Sequence, residues 1–94
     1  MSALALHEML RDAPLPMIAA RIRRARRQSE MTLDGLAGAV DSSRQHLINL
    51  EKGRHRPRAE MLTKIAEATG KPLDYFLVEE AGENPPFPDE AAAA

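Results

Sequence analysis

Two short hydrophobic periods, separated by a polar break, constrain this chain more than any other feature. Apolar residues recur at three- and four-residue spacing in the segment TLDGLAGAV and again in RQHLINLEKG, between positions 32 and 53. That spacing places apolar side chains on one face of a helix, with Leu36 and Val40 on the first face and Leu47 and Leu50 on the second. The sequence therefore predicts two short helices that each bury one face, joined by a turn.

The second of these helices carries hydrogen-bonding side chains on the positions outside its apolar face. These side chains are Arg44, Gln45, His46 and Asn49. An arginine matches the acceptor pair of guanine, and a glutamine or asparagine amide can bind adenine through two hydrogen bonds. This arrangement is typical of a helix-turn-helix that reads DNA, and the alternative is an ordinary solvated helix surface.

Charge is distributed unevenly along the chain, although the formal net charge is only −1. Residues 17–58 hold ten lysines and arginines against four acids, whereas residues 59–94 hold two against eight. Because affinity for phosphate depends on local positive potential, the basic half predicts a nucleic-acid surface. Five of the cations lie between Arg21 and Arg27, too many to face DNA together, so part of this run is expected to be solvated helix.

Several segments together resemble the helix-turn-helix domain of the lambdoid phage repressor and Cro family, also called XRE-type. The resemblance covers residues 17–78 and rests on MIAARIRRARRQ, TLDGLAGAV, SSRQHLINLEKG, RHRPR, EMLTKIAEATG and PLDYFL. It implies an all-α fold, a compact five-helix lambda-repressor-like DNA-binding domain at residues 17–79. We expect a short N-terminal helix or arm at residues 1–16 and a disordered acidic tail at residues 80–94.

The resemblance implies roles for individual residues of the DNA surface. Arg44, Gln45 and Asn49 match positions that face base edges. His46 lies close enough to touch a base or a phosphate. We call the second of the two short helices, which carries Arg44 to Asn49, the reading helix. Contacts with the DNA backbone are implied for residues that flank this helix or precede the helix before it: Ser43, Arg54, Arg56, Arg58 and Thr32.

The resemblance also implies an internal ion pair between Arg26, late in the first helix of the family pattern, and Glu51, at the end of the reading helix. Glu51 follows Leu50 on a face that turns toward the core, where an unpaired carboxylate would be costly. We therefore interpret both residues as structural and not as DNA contacts.

The ends of the two central helices carry recognisable signals. Thr32 and Ser43 are predicted N-caps, because a hydroxyl can accept from the free N–H groups of the first helical turn. Gly53 is predicted to end the reading helix in the left-handed conformation. Asp41 and Ser42 depart from the family pattern, which has a glycine and then an apolar residue there, so a slightly different turn is expected.

The remaining segments supply packing surfaces. EMLTKIAEATG predicts a helix that stops at Gly70, and LDYFLV a last short helix whose aromatic residues lie in the core or at a dimer surface. In the family the last helix often forms the two-fold contact, and one domain makes few base contacts, so a homodimer on DNA is expected. The N-terminal segment SALALHEMLRD is separated from the rest of the domain by APLP, which disfavours helix. Three interpretations of this segment are open: an extra helix on the core, an arm across the partner subunit or a frayed end.

The sequence lacks the residues that several other classes of protein require. No cysteine is present, and His46 and His55 have no third ligand at suitable spacing, so neither a metal nor a cofactor is expected. No nucleophile with a base and no phosphate-binding glycine loop is found, which predicts that the protein is not an enzyme. Without a long apolar run or a secretion signal, a cytoplasmic location is expected, with no membrane partner.

The sequence therefore predicts a sequence-specific regulator of transcription that binds double-stranded DNA, a repressor acting as a dimer on a palindromic operator. Because no effector domain follows the reading helix, we expect regulation by occupancy or through a partner. The alternative is an antitoxin-type subunit that binds a toxin and autoregulates its operon.

Overall fold

The apolar periods of the sequence become a set of helices around one core. The structure is a computed structural model that describes residues 2–79, and the predicted tail at 80–94 lies outside these residues. Between residues 2 and 79 there are six helices and no strand: α1 Ala3–Asp12, α2 Leu15–Gln28, α3 Leu33–Ala39, α4 Arg44–Glu51, α5 Ala59–Thr69 and α6 Asp74–Leu77. The prediction of an all-α, five-helix domain with an additional N-terminal helix or arm is confirmed, and the additional element is a helix.

The second helix is the central element of the core. α2 contacts α4, α5 and α6, and its outward positions Arg23 and Arg27 stay exposed. Large side chains without exposed surface come from each helix between α2 and α6: Ile18, Ile22, Leu36, Leu47, Leu50, Leu62, Ile65 and Phe76. Burial of one such side chain contributes about 1.5–3 kcal/mol. Because isolated helices of this length are marginal in water, packing on this core is what holds α3, α4 and α6 in place.

The predicted caps are confirmed, and the predicted change in the turn is not. The Thr32 hydroxyl accepts from the Gly35 amide at 2.9 Å, and the Ser43 hydroxyl accepts from the His46 amide at 3.1 Å. Asp41 adopts the left-handed conformation with φ 57°, the conformation that a glycine would take there more easily. Asp41 therefore accommodates the left-handed conformation, and the expectation of a slightly different turn stays a prediction.

The N-terminal segment is an extra helix on the core, the first of the three alternatives left open by the sequence. Ser2 caps α1 by accepting from the Ala5 amide at 3.1 Å. Leu10 and Ala13 are buried in the core cluster, and α1 contacts α5. Leu4 on the opposite face is 70% exposed. Among the helices of residues 2–79, none is long and apolar enough to cross a bilayer.

The short last helix is held by a buried arginine from the basic run Arg21–Arg27, whose charge pattern by itself predicts surface positions. Tyr75 and Phe76 of α6 are buried in the core, with their rings edge to face at 5.2 Å. Arg21 of α2 is 2% exposed and donates to the carbonyl oxygens of Tyr75 at 2.6 Å, Val78 at 2.9 Å and Glu79 at 2.8 Å. The guanidinium thus satisfies carbonyls that the end of α6 leaves without helical partners.

Burial lowers the pKa of Arg21, since desolvation disfavours the charged form, but an arginine remains protonated at physiological pH. Its bonds to the carbonyls are therefore charge-assisted and stronger than neutral ones. Arg24 is buried as well, so at least two cations of the arginine run face away from solvent. Local charge alone did not distinguish these positions from their exposed neighbours.

We expect Arg21→Met to lower the free energy of unfolding by about 3 kcal/mol, because buried carbonyls lose donors from a charged group. Arg23→Met on the exposed side of the same helix is the matched control and should change stability by less than about 0.5 kcal/mol. Urea unfolding followed by far-ultraviolet circular dichroism measures both. Equal stability of the two variants would contradict the structural role of Arg21.

Candidate nucleic-acid interface

The helix pair α3 and α4 presents one polar surface to solvent because its opposite surface is fully used in the core. Leu47 and Leu50 of α4 have no exposed surface. Arg44 and Gln45 are exposed, and Asn49 is half-buried, on the remaining sides of the helix. The structure thus leaves three of the four predicted base-reading residues, Arg44, Gln45 and Asn49, outside the core-facing side of α4, and their contact with bases stays a prediction.

Arg44 begins α4, and an acid of the neighbouring helix lies beside it. Its Nε atom is 3.9 Å from Oδ1 of Asp34 in the first turn of α3, and the two side chains are 63% and 79% exposed. Exposed pairs of this kind contribute about 0–1 kcal/mol, so Arg44 remains available for a stronger partner such as guanine. The spacing of Asp34 and Arg44 along the chain does not indicate this pair, because only the turn between α3 and α4 brings the two residues together.

Gln45, Asn49 and Arg54 form a hydrogen-bonded chain on this surface. The Asn49 Oδ1 atom accepts from Gln45 Nε2 at 3.3 Å and from Arg54 Nη1 at 3.0 Å. Gln45 and Asn49 are one helical turn apart, which explains their contact, whereas Arg54 reaches Asn49 from the segment that follows α4. The structure therefore places Arg54, predicted as a backbone contact, beside two predicted base contacts.

Basic side chains continue along the segment between α4 and α5. Arg54 and Arg58 are exposed. A shallow cleft next to α4 is lined by His46, His55, Arg56, Arg58 and Met61. This cleft carries positive charge from its arginines and lies against the reading helix, so it can accept an anionic backbone. Contact of these arginines with DNA stays a prediction.

Arg56 has an internal bond that sequence reasoning missed. Its Nη1 atom donates to the carbonyl oxygens of Leu10 at 2.6 Å and Ala13 at 2.7 Å, at the C-terminal end of α1. Cations are stabilising at this end of a helix, where carbonyls lack helical partners. The partner is 43 to 46 residues away in the chain, so no local pattern could have indicated it. Arg56 therefore connects α1 to the basic segment between α4 and α5 through its Nη1 atom.

The hydroxyls of Thr32 and Ser43, both predicted to contact the DNA backbone, accept from amides of their own helices. Each still has a hydroxyl hydrogen that can be donated to a phosphate oxygen. The two residues lie at the N-terminal ends of α3 and α4, where the helix dipole favours an anion. Their position is compatible with the predicted contacts and leaves them as predictions.

Arg26 and Glu51 are joined in the structure as the resemblance implied. Arg26 Nε and Nη2 donate to the two carboxylate oxygens at 2.7 and 3.1 Å, and Nη1 donates to the Met31 carbonyl at 3.0 Å. The side chains are 14% and 7% exposed. Glu51 stands at the C-terminal end of α4, where an acid is unfavourable for the helix dipole, and Arg26 supplies the opposite charge beside it. The pair fixes the far end of the reading helix to α2.

We expect Glu51→Ala to lower the free energy of unfolding by about 3 kcal/mol, because it leaves the Arg26 charge partly buried and unpaired. Arg26→Ala should have a similar effect, and the double variant should cost clearly less than the sum of the two. Arg27→Ala, an exposed neighbour, is the control. Urea titrations of the wild-type protein, the two single variants and the double variant form a double-mutant cycle, and strict additivity would show that the pair contributes nothing.

Arg56→Ala should loosen α1 while leaving the reading helix in place, because only the two carbonyls of α1 lose their donor. We expect faster hydrogen exchange of the amides at the C-terminal end of α1 and a loss of about 1.5 kcal/mol in stability. Arg58→Ala removes a nearby exposed guanidinium and serves as the control. Unchanged exchange in α1 would contradict this role.

Comparison with known proteins agrees with the geometry. A helix-turn-helix family model matches residues 22–76. The chain is also 38% identical over 63 residues to a protein of Methanothermobacter thermautotrophicus (strain Delta H) that is named an uncharacterized HTH-type transcriptional regulator, with 65% of this chain and 91% of that protein covered. With a matching family model, a similar relative and the α3–α4 arrangement in agreement, this chain belongs to the XRE-type helix-turn-helix family.

Proposed function

We propose that this protein is a transcriptional regulator that binds double-stranded DNA in a sequence-specific way and represses by occupying an operator as a dimer. The observation that carries the proposal is the outward surface of α4. Arg44, Gln45 and Asn49 lie together on it, while Leu47 and Leu50 anchor its other side in the core. Family membership and the name of the relative support regulation of transcription through DNA binding.

The dimensions of α4 suit a DNA groove. An α-helix with its side chains is about 10–12 Å in diameter, and the major groove is about 12 Å wide, so a helix such as α4 fits into it. Helix-turn-helix domains insert the N-terminal part of the second helix, which here begins with Arg44 and Gln45. His46, the third residue of α4, points toward the basic cleft, which favours a phosphate over a base as its partner.

Electrostatics support the same orientation. The excess of cations within residues 17–58 includes the exposed Arg54 and Arg58 of the segment after α4. A phosphate backbone that follows this segment would release counterions, so binding should weaken steeply as salt rises. The N-terminal end of α4 adds the partial positive charge of its free amides.

Dimerisation on DNA follows from the small reading surface. Three or four side chains specify only a few base pairs, and a two-fold dimer doubles that number on half-sites about 34–36 Å apart. The aromatic residues of α6 are buried within the subunit, so a two-fold contact would use other surfaces of the protein. Repression needs no additional activity, because an occupied operator that overlaps a promoter excludes polymerase.

Selection of bound sites from a random DNA pool tests the proposal directly. We expect a consensus with a two-fold repeat whose half-sites are about one helical turn apart. Sedimentation of the protein with a full site and with a half-site gives the stoichiometry. A pool that stays random after repeated selection at low salt would overturn sequence-specific binding, and a single unrepeated site would overturn the dimer.

Arg44→Ala should weaken binding to the selected site by about 1–3 kcal/mol and relax the base preference at one position. Lys64→Ala removes an equal charge from α5 and should change neither. Gel-shift titrations of the selected duplex and of a random duplex separate these outcomes. If Arg44→Ala weakens both duplexes to the same extent, Arg44 contacts the backbone and does not read a base.

A further inference from the structure

The chain formed by Arg54, Asn49 and Gln45 has only one possible direction of hydrogen bonding. A guanidinium can donate but cannot accept, so the Asn49 atom that faces Arg54 Nη1 at 3.0 Å must be the carbonyl oxygen. The same oxygen is 3.3 Å from the Gln45 amide, which must then present its nitrogen. A single charged side chain outside the reading helix therefore determines the orientation of two amides on it.

This direction decides what the amides offer to DNA. The two lone pairs of Asn49 Oδ1 are used by Gln45 and Arg54, so Asn49 presents its Nδ2 donor outward. Gln45 uses one Nε2 hydrogen in the chain, keeps the second, and presents Oε1 as an acceptor. Within the described part of the protein, neither Gln45 Oε1 nor Asn49 Nδ2 has another hydrogen-bond partner. An amide that binds adenine through two bonds needs both of its groups, and Asn49 has only one available.

We propose that Arg54 is a positioning residue for base recognition, which sets Asn49 as a donor and Gln45 as an acceptor on the DNA-reading surface. This inference rests on the proposed function and specifies its base preference. Asn49 then donates one bond to a major-groove acceptor, as presented by guanine, thymine or the N7 atom of adenine, and it loses the two-bond preference for adenine. The Oε1 atom of Gln45 accepts from an amino group, as presented by cytosine or adenine. Arg54 acts on specificity through Asn49 and needs no base contact of its own.

The experiment compares sites selected from a random DNA pool by the full chain and its variants. Gln45→Ala and Asn49→Ala first identify the base pairs that these residues read, because the preference relaxes there. Arg54→Met removes the donors and keeps an unbranched stem. We expect it to increase the frequency of adenine at the base pair read by Asn49, since the amide can then use both groups. Affinity for the wild-type consensus should fall about tenfold, and the preference at the Arg44 position should be unchanged.

Two further variants separate positioning from general loss of charge or structure. Arg58→Met removes an exposed guanidinium from the same segment, and it should weaken all duplexes without altering the consensus. Arg54→Lys retains a charged donor that can reach Asn49, and it should restore the wild-type preference at least in part. Circular dichroism of each variant verifies that the helices are intact.

The outcomes distinguish this inference from the proposed function. If the wild-type protein selects a consensus and Arg54→Met selects the same one, the positioning role is overturned. Sequence-specific binding then remains intact. The same conclusion follows if Arg54→Met and Arg58→Met differ from the wild type only in overall affinity. Failure of the wild-type protein to select any consensus overturns the proposed function and this inference together.

Discussion

Burial of one side of α4 is the constraint on which the rest of this structure depends. A helix of eight residues does not persist alone in water, so α4 exists because Leu47 and Leu50 pack into a core centred on α2. Once that side is fixed, the rotation of the helix about its axis is fixed as well. Arg44, Gln45 and Asn49 then lie outside the core, so the polar surface proposed to read DNA is a consequence of core packing.

The arginines show how one residue type serves several physical roles in a small domain. Arg21 satisfies backbone carbonyls at the end of α6, and Arg26 neutralises a carboxylate at the end of α4. Arg56 holds the end of α1, while Arg54 contacts a side chain of the reading helix. In the first three cases a cation lies where helix carbonyls or an acid concentrate negative potential. A count of basic residues therefore overstates the charge available for DNA.

These internal bonds also connect stability with recognition. Arg26 and Glu51 fix the C-terminal end of α4, and the Ser43 cap fixes its N-terminal end, so the helix is held at both termini. Arg56 joins the N-terminal helix to the segment that carries Arg54 and Arg58. Side chains that read bases must be held close to their productive positions, and a rigid supporting layer provides this. The hydrogen bonds that stabilise the helices therefore also hold the exposed side chains of α4 and of the segment after it in place.

The sequence by itself determined the helices, the caps at Thr32 and Ser43 and the polar surface of α4, because these depend on spacing and chemistry within about ten residues. The resemblance to a known family supplied the pair of Arg26 and Glu51. Only the tertiary structure decided which arginines face inward, that Asp41 takes the left-handed conformation, and that Arg54 donates a hydrogen bond to Asn49. Those outcomes depend on which distant backbone or side chain lies within hydrogen-bonding distance, and spacing along the chain carries no such information.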